Sequence, residues 1–353
     1  MKKIVLTGGG TAGHVTPNIA LMPALKEDGY DIYYIGSKKG MEKAMITDLG
    51  IPYTGISTGK LRRYFDLRNF IDPFKVIHGY FEARRALKRI KPDVIFSKGG
   101  FVAVPVVLAA KSLNIPAVIH ESDMTPGLAN RISAKGASYF CCNFPETLKL
   151  LPEGKAVLSG TPIREELLHG SREKGFSFTG LDNSKPVLLV TGGSQGSKFI
   201  NDAVRASLDQ LLPSFNIVHL CGKGNLDPDL TSKSGYVQYE FISKELPDLF
   251  SMADLVISRA GANAICELLA LRKPNILIPL GLDSSRGDQI LNAESFEKQG
   301  FSYVLKEDNM DQNQFIKAIR YVYDNRNSYI DTMSKSDCSD SIMTIVNLLD
   351  RIA

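Results

Sequence analysis

At 353 residues the chain exceeds one ordinary core and suits two domains, and its 44% hydrophobic and 23% charged residues are the proportions of a soluble globular protein. No apolar run reaches the roughly 18–20 residues of a membrane-spanning helix, and the stretch after Lys2 and Lys3 is too short for a signal-peptide core, so a cytoplasmic protein is expected. The cysteines, at 141, 142, 221, 266 and 338, lack C-x-x-C spacing, which argues against a disulfide framework or a zinc site and for buried thiols.

The first strand, KKIVLTG (2–8), runs into GGGTAGH (8–14). Gly8, Gly10 and Gly13 satisfy G-x-G-x-x-G, the turn that brings a helix N-terminus to a dinucleotide. That fingerprint also needs an acid at the end of the second strand. The second strand, DIYYIG (31–36), closes on Ile35-Gly36-Ser37, with Asp31 at its start and Glu42 beyond its end. A dinucleotide cofactor is therefore not expected. What remains is a tight turn whose N–H groups, with the helix over 18–27, favour an anion.

Between Lys60 and Lys91 ten Lys/Arg face three acids (Asp66, Asp72, Glu82), a local charge of +7 on a chain whose net charge is +4. Asp72 suits an N-cap and Pro73 the first helical position. At 100° per residue, Val76, Tyr80, Ala83, Leu87 and Ile90 form the core stripe. Phe74, Ile77, Phe81, Arg84, Arg85 and Lys88 fall on the opposite side, a mixture that suits an anionic membrane surface. No nucleic-acid-binding motif accompanies the patch, and a plain solvated basic face is the alternative.

Strand DVIFSKG (93–99) opens SKGGFVAVP (97–105), and strand PAVIHES (116–122) opens HESDMTPGLANRI (120–132), with a helix over 130–135. His120 and Glu121 stand at a strand's carboxyl end, where α/β proteins place site residues. A linker follows near SGTPIREE (159–166) and runs to about 185. KPVLLVTGGSQGS (185–197) then repeats the opening pattern, its turn adding the Ser194 hydroxyl, before a helix over 200–212.

After strand NIVHLCG (216–222), Asp227-Pro228-Asp229 spells D-x-D, but it lies in a polar loop with no apolar strand running directly into it; no metal cluster is visible and no metal is expected. Strand DLVISRAG (254–261) enters a helix over 265–271 that carries Glu267. A carboxylate there could accept from two vicinal hydroxyls, as on a ribose, or could merely face the helix dipole. Beyond strand NILIPLG (275–281), Asp288, Gln289 and Asn292 share one side of a helix start, which suits sugar hydroxyls or solvent. The strands are continuous apolar runs, as parallel strands covered on both faces are. Two Rossmann-like, doubly wound α/β domains (1–160 and 161–337) follow, with a ligand expected in the cleft between them.

GGGTAGHVTP, SKGGFVAVP, HESDMTPGLAN, GGSQGS and SRAGANAICE, in that order, resemble the peptidoglycan-synthesising members of glycosyltransferase family 28 over nearly the whole chain. The resemblance implies a GT-B fold and a last helix (about 338–353) packed back on the first domain. It implies inverting transfer of GlcNAc from UDP-GlcNAc to the MurNAc 4-hydroxyl of undecaprenyl-pyrophosphoryl-MurNAc-pentapeptide (lipid I), giving lipid II without a cofactor. Thr11, Ala12 and Gly13 would contact the donor, Arg164 and Ser194 its diphosphate, and the Ile242 backbone its uracil. Glu267 would hold the ribose, and Gln289 and Asn292 the GlcNAc. The chain departs from the family at Asp123, often Asn, and Asp288, often Gln.

An inverting displacement needs a base for the acceptor hydroxyl, and His14 is the first candidate, because an ordinary imidazole titrates near neutrality. His120 and Glu121 are alternatives or orienters. The Gly-rich turn, a helix N-terminus and Arg164 would stabilise the departing UDP. A lipid-linked acceptor implies a peripheral enzyme on the cytoplasmic face of the cell membrane, docked by the 74–88 face, with no nucleic-acid partner; association with other cell-wall synthesis proteins is left open. The competing readings are another UDP-sugar enzyme of this fold (a glycolipid glycosyltransferase or a UDP-GlcNAc 2-epimerase), an oxidoreductase, or a non-enzymatic membrane scaffold.

Overall fold

The computed structural model describes residues 2–59, 68–193, 195–282, 287–336 and 340–353. It comprises two compact units, Met1–Arg164 with Asp340–Ala353, and Glu165–Ser339.

The first unit runs β1 (Lys2–Thr7), α1 (Thr16–Glu27), β2 (Tyr30–Ser37), α2 (Met41–Thr47), β3 (Tyr53–Ile56), α3 (Arg68–Ile90), β4 (Val94–Ser97), α4 (Ala103–Ser112), β5 (Ala117–Glu121), α5 (Leu128–Ser133), β6 (Tyr139–Cys142), α6 (Pro145–Leu148) and β7 (Ala156–Leu158). Its seven strands are parallel, in the order β3-β2-β1-β4-β5-β6-β7. Ile4, Val5 and Leu6 are fully buried because helices cover both faces of the sheet. The chain leaves β1 for β2 on one side and resumes at β4 on the other, so Thr7 pairs with both Ile35 and Ser97. That reversal is the switch point at which open α/β sheets form their crevice. GGGTAGH and KGGF both start there.

The sequence places the start of α3 at Asp72, but the helix begins at Arg68 and takes Pro73 into its interior. Near a helix start the missing N–H forfeits a single backbone bond, and the Asp72 carboxylate holds Lys75 Nζ at 2.9 Å one turn on. The expected stripe does face inward: Ala83, Leu87 and Ile90 are buried, Val76 and Tyr80 half-buried.

The second unit contains α7 (Arg172–Thr179), β8 (Val187–Thr191), α8 (Lys198–Leu211), β9 (Asn216–Leu220), β10 (Tyr236–Tyr239), α9 (Leu246–Met252), β11 (Leu255–Ser258), α10 (Ala262–Ala270), β12 (Asn275–Leu277), α11 (Asp288–Lys298), β13 (Tyr303–Val304), α12 (Gln312–Asp324) and α13 (Arg326–Ser334). Its parallel sheet is ordered β10-β9-β8-β11-β12-β13, so the switch point lies after β8. The chain then ends in α14 (Ser341–Asp350), which belongs to the first unit. Ile345, Val346, Leu348 and Leu349 of α14 join the core of Ile4, Leu6, Leu21 and Leu25. Asp350 fastens the strand below, accepting from Lys2 Nζ (2.8 Å) and the Tyr30 hydroxyl (2.7 Å). Among the described residues no helix is long and apolar enough to cross a membrane.

Candidate active site

In the first unit, β1 passes through Gly8–Gly10 into a single 3-10 turn, Ala12–His14, before α1 begins. A Cβ on Gly8 would lie 2.5 Å from the His14 carbonyl oxygen, and Gly10 has φ +89°, so the turn accepts no side chain at either position. Tyr34 hydroxyl donates to the Gly8 carbonyl at 2.9 Å and fixes the turn from below. Thr11 and Ala12 are exposed, Gly13 and His14 half-buried. His14 Nδ1 lies 2.9 Å from Thr11 Oγ1. Burial first, and the Lys98 charge second, lower the His14 pKa to about 4 against an opposing pull from Glu42. The near-neutral pKa assumed from sequence is thus corrected: the imidazole is uncharged over the physiological range.

The acid that a dinucleotide site would carry at the end of β2 is replaced by something else. Glu42, fully buried at the start of α2, turns its carboxylate back to accept from Ser37 N (2.9 Å), Ser37 Oγ (2.5 Å) and Gly10 N (3.4 Å). A Cβ on Gly9 would lie 2.6 Å from that carboxyl group. An internal anion therefore occupies the space between the turn and the end of β2, and no ribose can bind it there.

His120 is fully buried at the end of β5 and Glu121 is nearly so. His120 Nε2 lies 2.8 Å from the Gly160 carbonyl, which can only accept, so Nε2 carries the proton. Nδ1 then accepts from Lys98 Nζ at 2.8 Å. Both nitrogens are thus engaged, and burial foremost, then the Lys98 charge, holds the His120 pKa well below the usual value. Glu121 accepts from the backbone of Ser122 (2.9 Å), Asp123 (3.2 Å) and Gly127 (2.8 Å) and from Asn130 Nδ2 (2.9 Å). It therefore shapes the loop 122–127. Burial foremost, then the Asp123 charge, raises its pKa against these bonds.

In the second unit a cavity of about 820 Å³ opens at the carboxyl edge of the sheet. Gly192, Gly193 and Gly196 line it after β8, and a Cβ on Gly196 would lie 1.9 Å from the Cys221 carbonyl oxygen. Ser197 caps α8 by accepting from Ile200 N. Ile242, Glu267 and Gln289 line the same cavity. Glu267 is the sixth residue of α10, beyond the first turn where the dipole acts, so the dipole alone does not account for it. Asn292 does not reach the wall: fully buried, it donates to the Ala260 carbonyl at 3.3 Å. Asp288 begins α11 and is not among the lining residues. Ser194 lies outside the described residues, and Arg164, half-buried, closes the first unit.

Two lining residues escape the sequence reading. Arg259 bonds Ser197 Oγ (2.6 Å), the Ile278 carbonyl (3.0 Å) and Glu307 Oε1 (2.7 Å), a nearly buried cation behind the second glycine turn. It stands directly after β11, the position that singled out His120; Glu307 has no such signal. Asp227 of D-x-D accepts from Asp229 N and caps a short helical turn. Among the described residues no three His, Cys, Asp or Glu side chains gather into a metal-binding set.

On α3, Phe74, Ile77 and Phe81 are 73%, 55% and 62% exposed, beside exposed Arg85 and Lys88 and half-exposed Arg84. Isolated exposed apolar residues need no explanation, but three large ones on a single basic helix face do.

Residues 4–139 match the glycosyltransferase family 28 N-terminal domain and residues 187–348 the family 28 C-terminal domain. The UDP-N-acetylglucosamine--N-acetylmuramyl-(pentapeptide) pyrophosphoryl-undecaprenol N-acetylglucosamine transferase of Lachnospira eligens is 61% identical over 349 residues, covering 99% of each chain. Its counterpart from Lachnoclostridium phytofermentans is 61% identical over 352 residues, covering 100% of this chain and 99% of that one. The crystal structure of Acinetobacter baumannii MurG superposes with a TM-score of 0.80 at 24% identity, covering 99% of this chain and 100% of that one. The fold is the GT-B fold of glycosyltransferases. The chain belongs to glycosyltransferase family 28, and within it to the pyrophosphoryl-undecaprenol N-acetylglucosamine transferases.

His14 is held at about 4 and His219, buried between Tyr236 and Asn201, at about 3, below the ordinary 6.5. Below about pH 6.5 the unfolded chain takes up these protons and the folded chain does not, so stability falls as pH falls. Urea midpoints measured from about pH 7 down to about pH 5 should decline, with a shallower slope for His14→Ala. A flat profile, or equal slopes, would contradict the assignment.

Proposed function

We propose that this chain transfers GlcNAc from UDP-GlcNAc to the MurNAc 4-hydroxyl of lipid I with inversion, forming lipid II. The observation that carries the reading is the cavity of the second unit, which gathers a glycine turn, a helix N-terminus, Ile242, Glu267 and Gln289 around one space of nucleotide-sugar size. In this reading Glu267 accepts from the ribose hydroxyls, the Ile242 backbone meets uracil, and Gln289 meets the sugar. Asn292 supports the sugar subsite from behind through Ala260. Ser194 and Arg164 serve the diphosphate, and Thr11, Ala12 and Gly13 contribute from the first unit. As the glycosidic bond breaks, charge builds on the β-phosphate, and preorganised N–H groups of the Gly192–Gly196 turn and of the α8 N-terminus stabilise it.

His14 takes the acceptor proton. In the tautomer that donates Nδ1–H to Thr11 Oγ1, Nε2 presents its lone pair, and the uncharged imidazole is ready without a prior deprotonation. A pKa of about 4 makes a weak base, but an arriving diphosphate anion favours the imidazolium and strengthens it. His120 and Glu121 position the loop 122–127, which receives the acceptor. The acceptor's lipid stays in the bilayer, so the enzyme docks peripherally on the cytoplasmic face, with Phe74, Ile77 and Phe81 entering the interface and Arg84, Arg85 and Lys88 meeting anionic headgroups.

UDP release, followed with and without a short-chain lipid I analogue, separates this from epimerisation: release should require the acceptor, and acceptor-independent release would favour another UDP-sugar reaction. In the same assay Glu267→Ala should raise the UDP-GlcNAc KM roughly 10–100-fold, the cost of losing charge-assisted hydrogen bonds. Unchanged kinetics would remove Glu267 from the ribose site.

Phe81→Ser combined with Arg85→Glu should abolish most binding to vesicles containing anionic lipid while sparing turnover of a soluble acceptor. Intact vesicle binding would rule out this face.

A further inference from the structure

We propose that Lys98 is a positioning residue for the acceptor, tying the loop 122–127 to the first glycine turn; this rests on the reading of that loop as the acceptor's seat. Lys98 is 1% exposed at the switch point of the first sheet. An amine so buried is costly to keep, and a methionine would fill the volume without the desolvation penalty. Its contacts give a reason for it.

The Lys98 backbone N–H donates to the Thr7 carbonyl at 2.9 Å, directly before the glycines, and a Cβ on Gly8 would lie 3.4 Å from the Lys98 Cβ. The side chain then crosses the end of β5. Nζ donates to His120 Nδ1 at 2.8 Å and to Ser122 Oγ. His120 cannot turn to break the first bond, because its Nε2–H is held by the Gly160 carbonyl at 2.8 Å. Ser122 is thereby held three ways: its N–H by Glu121 (2.9 Å), its carbonyl by Asn143 Nδ2 (2.9 Å), and its hydroxyl by Lys98. The polar chain continues from Asn143 Oδ1 to Thr161 Oγ1 (2.8 Å), and from the Thr161 carbonyl to Ser341 of α14 (2.8 Å). A single residue thus joins the end of β1, through its backbone, to the end of β5 and the first residue of the loop, through its side chain.

Steady-state kinetics of the full chain with UDP-GlcNAc and a short-chain lipid I analogue test this. Lys98→Met should raise the acceptor KM about tenfold, with kcat at saturating acceptor within about threefold and the donor KM within about twofold. Ser122→Ala, which cuts only the loop end of the link, should raise the acceptor KM as well, and the double variant should add little to Lys98→Met alone, as coupled residues do. Equal rises in both KM values, an unchanged acceptor KM, or full additivity would overturn the proposal. If Lys98→Met does not fold, an unchanged acceptor KM in Ser122→Ala overturns it alone. Asp123→Ala and Thr125→Ala separate the underlying reading: if neither moves the acceptor KM, the loop is not the acceptor's seat, whatever Lys98 does.

Discussion

Everything at the candidate site depends on backbone that can pass where a side chain cannot. After β1 and after β8 the chain must turn sharply at the point where the strand order reverses. A single methyl group on Gly8 would strike the His14 carbonyl, and one on Gly196 would strike the Cys221 carbonyl. Relieving either contact would move the start of a helix relative to the strand that feeds it. The positions of His14 in one unit and of Ser197 and the α8 N-terminus in the other follow from that constraint.

The two turns look alike in sequence, yet their surroundings differ. Beneath the first, Glu42 brings a buried carboxylate to the Gly10 N–H at 3.4 Å. Behind the second stands Arg259, held by Ser197 and Glu307, and the turn opens into the cavity. A repeated α/β plan thus opens a cavity after one turn, while the other carries an uncharged imidazole and, through Lys98 and His120, borders a neighbouring loop.

Much of this was legible in the sequence because buried parallel strands write themselves as apolar runs. All eight strands read from the sequence exist, with ends shifted by a few residues. The strands passed over are mainly edges: β3, β7, β10 and β13 are two to four residues long and half-exposed, so no continuous apolar run marks them. β6 is interior, but its Tyr-Phe-Cys-Cys sequence has none of the Val, Ile and Leu runs that mark the other buried strands. Glu267 and Gln289, singled out as a carboxylate and an amide near helix starts, line the cavity of the second unit. Asn292 shares their pattern but turns inward, a difference of side-chain direction that spacing does not encode. The Glu42 and Lys98 contacts were invisible for the same reason: both depend on how a long side chain bends back over a turn. The pKa of His14 was misread because its value follows from burial and from Lys98, which is distant in sequence.

In this mechanism proton transfer belongs to the first unit, and the main hold on the nucleotide belongs to the second. This division is tested most directly by measuring, for His14→Ala, both the Kd for UDP by calorimetry and the kcat for GlcNAc transfer to a short-chain lipid I analogue. The account predicts a Kd within about twofold of the parent and a kcat lower by roughly 10²–10⁴, the usual worth of a general base. A weakened Kd with kcat preserved would contradict it, and would make His14 part of the donor site instead.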